Sequence, residues 1–112
     1  MSGCIEICNM RAEKPRNQWD VPVCRRYSIL GNPYYASSEN KRDYVCDKYE
    51  EWFNKSLDKL KPELMKLVGI YQQYGKLRLF CWCAPKRCHA ETIKGWIENE
   101  VRRLQLANKG AE

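Results

Sequence analysis

Three thiols and one imidazole fall within nine residues of a 112-residue chain, in Cys81-Trp82-Cys83-Ala84-Pro85-Lys86-Arg87-Cys88-His89. Thiolates and imidazoles bind zinc, attack electrophiles and move protons near neutral pH. Three Cys with one His is a tetrahedral zinc set, which makes Cys81, Cys83, Cys88 and His89 candidate ligands. Their spacing differs from the paired Cys-x2-Cys of a finger. Adjacent Cys88 and His89 also cannot easily both reach one ion from a regular helix, and Cys4, Cys8, Cys24 or Cys46 are alternative ligands to complete such a site.

The same segment also suits an activated thiol. An apolar strand ends before Pro85 and a helix begins about Cys88, which sets that sulfur beside unpaired N–H groups and the positive end of a helix dipole. Lys86, Arg87 and His89 would lower the thiol pKa further, with His89 as base or proton donor, so Cys88 and His89 are the candidate catalytic pair. Those amides and cations would equally hold a phosphate or carboxylate. Cys81 and Arg87 fit the Cys-x5-Arg spacing of tyrosine phosphatases, but the loop lacks converging glycines and no Ser or Thr follows Arg87. Burial is the plainest alternative, because cysteine is among the most buried residue types. It suits Cys81 better than the Cys88–His89 pair.

The elements that must position these groups follow from periodicity. Cys4 to Met10 reads as a strand, and Val21 to Cys24 as a second, with Pro22 confining it to an edge or a strand start. Gly31-Asn32-Pro33 is a strong turn signal. Ser37 or Ser38 can cap a helix beginning near Glu39, along which Val45, Tyr49, Trp52, Phe53, Leu57 and Leu60 recur at helical spacing. Pro62 suits the first turn of another helix, with Leu64, Leu67, Val68, Tyr71 and Tyr74 as its stripe and Gly75 to end it. Lys76 to Cys83 alternates as a strand, with Leu77, Leu79, Cys81 and Cys83 on one face. A last helix carries Ile93, Trp96, Ile97, Val101 and Leu104. This order predicts an α/β fold: a small single domain over 1–107, with a parallel or mixed sheet flanked by about three helices in Rossmann-like βαβ order. Residues 108–112 read as a frayed tail.

Composition narrows the class. Length allows one domain, and 44% apolar with 30% charged residues is globular rather than disordered. The net charge of +6 fits a phosphate-bearing partner, although such basicity is also common without one. The first residues resemble neither a signal nor a transit peptide, and no apolar run is long enough to span a bilayer. The expectation is a soluble cytoplasmic protein with no membrane partner, whose seven cysteines stay reduced.

Two segments together resemble a known family. Arg26-Tyr27-Ser28-Ile29-Leu30-Gly31-Asn32-Pro33-Tyr34 is similar to an Arg-Pro-Ser-x-x-Gly-Asn-Pro-Phe motif, departing from it at Tyr27. Leu79-Phe80-Cys81-Trp82-Cys83-Ala84-Pro85-Lys86-Arg87-Cys88-His89-Ala90 is similar to Leu-x-Cys-Trp-Cys-Ala-Pro-x-x-Cys-His. Both mark domain-of-unknown-function family 4326, small proteins frequent in bacteriophages and their hosts. The resemblance runs over roughly residues 4 to 100. It implies a compact α/β fold and a phage or mobile-element origin, and carries no established activity. It also implies that Arg26, Asn32, Arg42, Cys83, Cys88 and His89 form one site.

Three functions compete. The first is binding of a nucleotide or another phosphorylated small molecule at the Cys/His/Arg site, with Arg26, Asn32, Arg42 and Arg87 as ligand contacts and thiol chemistry in reserve. The second is a non-enzymatic module that binds a host protein through exposed aromatics, with zinc or buried cysteines in a structural role. Nucleic-acid binding ranks third, since no helix-turn-helix, finger or RNA-binding signature is present.

Overall fold

A computed structural model describes residues 4–24, 28–31, 41–82 and 89–111; the side chains of residue 4 and of 107–111 are excepted. Strand β1 spans Cys4–Asn9, β2 Asp20–Pro22 and β3 Lys76–Cys81; helix α1 spans Arg42–Lys55, α2 Leu57–Tyr74 and α3 Ala90–Ala111. The strands form one sheet in the order β1-β3-β2, and both pairings are parallel. The expected α/β fold with about three helices is therefore present, and its sheet is parallel throughout the described residues.

Alternation in β3 organises the molecule. Leu77, Leu79 and Cys81 enter the main core cluster beside Leu64, Leu67 and Val68 of α2 and Ile93 and Ile97 of α3. Ile5 and Ile7 of β1 lie opposite Leu77 and Leu79 in the parallel register and continue that apolar face. On the other face stand Lys76, Arg78 and Phe80, and Phe80 is also fully buried. Pro22 ends β2 at the sheet edge, where its missing N–H breaks no ladder between two strands.

The connection from β1 to β2 is short for two parallel strands, which usually need a helical crossover. Here residues 10–19 return across the face opposite the helices. Met10 N–H donates to the Cys81 carbonyl (2.9 Å), and Glu13 pairs with Arg78 midway. Arg78 N–H then donates to the Trp19 carbonyl (2.8 Å). Trp19 closes the end of this strap between the Lys76 ammonium, 4.4 Å from its ring, and Tyr74, 5.6 Å away.

Several element boundaries differ from the sequence expectation. The helix expected near Glu39 starts at Arg42, with Lys41 as a cap residue that makes no side-chain bond; Ser37 and Ser38 lie outside the described residues. The stripe from Val45 to Leu60 spans two helices, broken at Ser56 (φ −103°, ψ 11°). Pro62 is not in the first turn of the second helix but six residues in, because Leu57 and Leu60 pack against the core and carry the helix back to Leu57. The second strand is Asp20–Pro22 rather than Val21–Cys24, and the third ends at Cys81 rather than Cys83. Gly75 ends α2 as expected, in the left-handed region at φ 73° where glycine is favoured. No helix among the described residues is long and apolar enough to cross a membrane.

Candidate ligand site at the carboxyl edge of the sheet

All three strands end on the same side, so the residues that follow Asn9, Pro22 and Cys81 meet there. Asn9 lies opposite Cys81 in the register. Its Oδ1 accepts from Arg11 N–H (2.7 Å), and its Nδ2 donates to the Trp82 carbonyl (3.4 Å). Asn9 thus fixes the way the chain leaves both strands. Asn9 is not among the residues the motifs single out; its one signal in the sequence is an Asn, a turn-forming residue, at the end of an apolar strand.

The chain after β2 is drawn to the same edge. Val23 N–H donates to the Phe80 carbonyl (3.0 Å), and the Val23 carbonyl accepts from His89 Nε2 (2.7 Å). A carbonyl can only accept, so Nε2 carries the proton and any ligand or proton chemistry at His89 falls to Nδ1. His89 is buried, and its own carbonyl accepts from Thr92 N–H (3.1 Å) to open α3. Tyr49 of α1 meets the imidazole edge-on at 5.1 Å and donates its hydroxyl to the Leu30 carbonyl (2.7 Å). Residues 28–31 turn, with Gly31 N–H on the Ser28 carbonyl (3.1 Å) and Leu30 N–H on Ser28 Oγ (3.0 Å), while Asn32 and Pro33 of the expected Gly-Asn-Pro turn lie outside the described residues. One buried chain of contacts, Val23–His89–Tyr49–Leu30, therefore joins the Gly-Asn-Pro segment to the Cys/His segment.

Burial sets the state of the nearby thiols. It pushes the Cys24 thiol up from its ordinary value, although a hydrogen bond with the Trp82 side chain works the other way. It does the same to Cys8, where a hydrogen bond with Arg78 opposes it. Both are inert thiols in this setting, as is Cys81, whose side chain is fully buried in the core. Cys8, Cys24, Cys46 and Cys81 take part in no disulfide.

The sequence-expected site residues divide sharply. His89 and Arg42 are described: His89 stands at the carboxyl edge, and Arg42 is the half-buried first residue of α1. Cys81 ends β3 with its sulfur turned to the core. Arg26, Asn32, Cys83, Arg87 and Cys88 lie outside the described residues. Among the described residues no three His, Cys, Asp or Glu side chains group as a metal would need.

Comparison with known proteins gives one match. The family model for Domain of unknown function (DUF4326) matches residues 8–99, which takes in both motif segments and every strand and helix in part or whole. No curated protein matches the chain, and no solved structure does.

Proposed function

Because the chain belongs to this family, whose description carries no activity, we propose from its geometry that the carboxyl edge of the sheet binds a nucleotide or another phosphorylated small molecule. One observation carries the reading: the buried His89–Val23 and Tyr49–Leu30 contacts tie both motif segments to the end of a parallel sheet where α/β proteins bind ligands. Arg26, Arg42 and Arg87 are the anion partners in this reading, because guanidinium forks match phosphate oxygens. The positive end of the α3 dipole lies directly after His89 and favours an anion there. Cys88 precedes His89 directly and is the thiol such surroundings would activate. The protein would then act in the cytoplasm, as a phage-type accessory protein with reduced cysteines.

The test is calorimetric titration of the purified, tag-free chain with AMP, ribose 5-phosphate and inorganic phosphate. Arg26→Ala and Cys88→Ala should each abolish binding while leaving the thermal midpoint unchanged. Wild-type affinity in both variants would overturn the reading.

A second reading, a module that docks on a protein, is favoured by the exposure of Ile29 and Trp82 on the two segments that reach this edge. Elemental analysis with native thiol counting separates the two. Stoichiometric zinc with unreactive Cys83 and Cys88 would support the docking module. One fast thiol at Cys88 without metal would support the ligand site.

A further inference from the structure

A groove of about 380 Å³ runs between α1 and α3. Two stripes face each other across it: Cys46, Glu50 and Asn54 on α1, and Glu91, Gly95 and Asn99 on α3, each spaced four residues apart on one helix face. Trp96 lies half-buried along the α3 side. The groove starts in the first turn of α3, immediately after His89, and Glu50 follows Tyr49, whose ring meets that imidazole. One end of the groove thus lies in the first turn of the helix that begins after His89.

Three features say what it would hold. Among the described residues no Lys or Arg lines the groove, so they offer a phosphate no cationic partner there. Its polar groups include carboxylates, which accept from hydroxyls, carboxamides, which offer paired donors and acceptors, and the Thr92 hydroxyl. Glycine is a poor helix former, and a Cβ at Gly95 would meet nothing within 4 Å, so the protein's own packing does not require glycine there. The space above Gly95 is open, and Trp96 lines the same groove.

We infer that the α1/α3 groove takes the nucleoside part of a nucleotide whose phosphate lies at the carboxyl edge. This rests on the ligand reading above and narrows it to nucleotides. The base stacks on Trp96 over Gly95, and Asn54 and Asn99 bond to its edge. Glu50 or Glu91 accepts from the ribose hydroxyls, the role an acidic residue plays beside the ribose in dinucleotide-binding sheets.

The test is an NMR titration of the isotope-labelled full chain with AMP, adenosine and ribose 5-phosphate. AMP and adenosine should shift the Gly95 amide, the Trp96 indole and the Asn54 and Asn99 carboxamides, while ribose 5-phosphate, whose sugar reaches only Glu50 or Glu91, should leave the Trp96 indole and the two carboxamides in place. Gly95→Leu fills the groove and should weaken AMP binding by about tenfold, the size of one lost base stack, with ribose 5-phosphate affinity unchanged and a thermal midpoint no lower. Asn99→Ala, at an exposed position, should weaken AMP binding in the same direction and guards against a folding defect in the first variant. Adenosine shifts that miss the groove, or AMP affinity indifferent to Gly95→Leu and Asn99→Ala, would overturn the inference. If ribose 5-phosphate still binds in that event, the edge site stands alone. If AMP, ribose 5-phosphate and phosphate all fail to bind, the edge site falls as well.

Discussion

Arg78 is the side chain on which the second face of the sheet depends. Its guanidinium pairs with Glu13 and reaches Asp20 (3.4 Å) and Glu6 (3.8 Å), and it lies 5.1 Å from the Phe80 ring. Hydrogen bonding with Glu13 and then Cys8 holds its pKa above the ordinary arginine value. The Asp20 side chain is wholly buried; its Oδ2 accepts from Arg16 N–H (3.0 Å) and Asn17 N–H (2.9 Å), while Oδ1 accepts no hydrogen bond among the described residues and faces Arg78 only as an ion pair. Arg78→Met removes the only cation facing that buried carboxylate among the described residues, and should cost about 3–5 kcal/mol in urea unfolding. Arg78→Lys should not restore the loss, because one ammonium cannot reproduce the fork that meets three carboxylates. Tyr49→Phe is a second residue-scale case. It strands the carbonyl of fully buried Leu30 and should cost about 1–3 kcal/mol, with faster amide exchange at 28–31 than elsewhere. Neither role was legible in the sequence, because Asp20 meets Arg78 only through the β2–β3 register and Tyr49 reads as one more apolar stripe position. The burial of Cys81 was legible, since it continues the alternation of Leu77 and Leu79.

At the scale of elements, α2 carries a defect that its packing overrides. Pro62 lies inside the helix, where it offers no N–H to the Asp58 carbonyl one turn back. The helix forms regardless, because Leu60, Leu64, Leu67 and Val68 are almost entirely buried along it. Pro62→Ala should therefore stabilise the protein by about 1–3 kcal/mol, measured as a raised urea midpoint with an unchanged slope. A lowered midpoint would mean that the pyrrolidine ring itself is needed for packing. Gly75→Ala should act in the opposite direction, by about 1–2 kcal/mol, because the left-handed backbone there crowds a Cβ. The same two residues show how far periodicity reads. Gly75 was legible because a helix stop and a following strand need a residue that tolerates positive φ. The break at Ser56 was not, because one non-helical residue scarcely shifts the phase of a stripe running from Val45 to Leu60. Pro62 misled for a related reason: proline marks helix starts on average, but buried leucines on its amino-terminal side can pull the start back past it.

For the whole molecule, the α/β class was legible because strand-period and helix-period segments alternate, whereas the order β1-β3-β2 was not. Nothing local in β1 says that its partner lies beyond two helices, and the return of residues 10–19 over the sheet depends on pairs such as Arg78 with Glu13. The +6 chain, its buried thiols and its carboxylate pairs together set how stability should follow pH. Glu100 is held below the usual carboxylate range by the hydrogen bond from Arg103 (2.6 Å), against the effect of burial. A depressed folded pKa contributes stability that is present above the unfolded value and is lost as pH falls through the folded one. Acidification below about pH 4.5 should therefore weaken the fold, and the growing positive charge adds to that trend. Cys8 and Cys24 act at the other end. Burial raises both above the ordinary thiol value of 9.0, so the folded state holds them protonated while the unfolded chain ionises. Their contribution is complete below the unfolded pKa and is lost as pH rises toward the folded one. Urea midpoints should accordingly form a plateau from about pH 5 to about pH 8.5 and fall on both sides. Cys8→Ala and Cys24→Ala should each flatten the alkaline limb while leaving the acid limb in place. An alkaline limb unchanged in the double variant would show that other groups, not the buried thiols, set it.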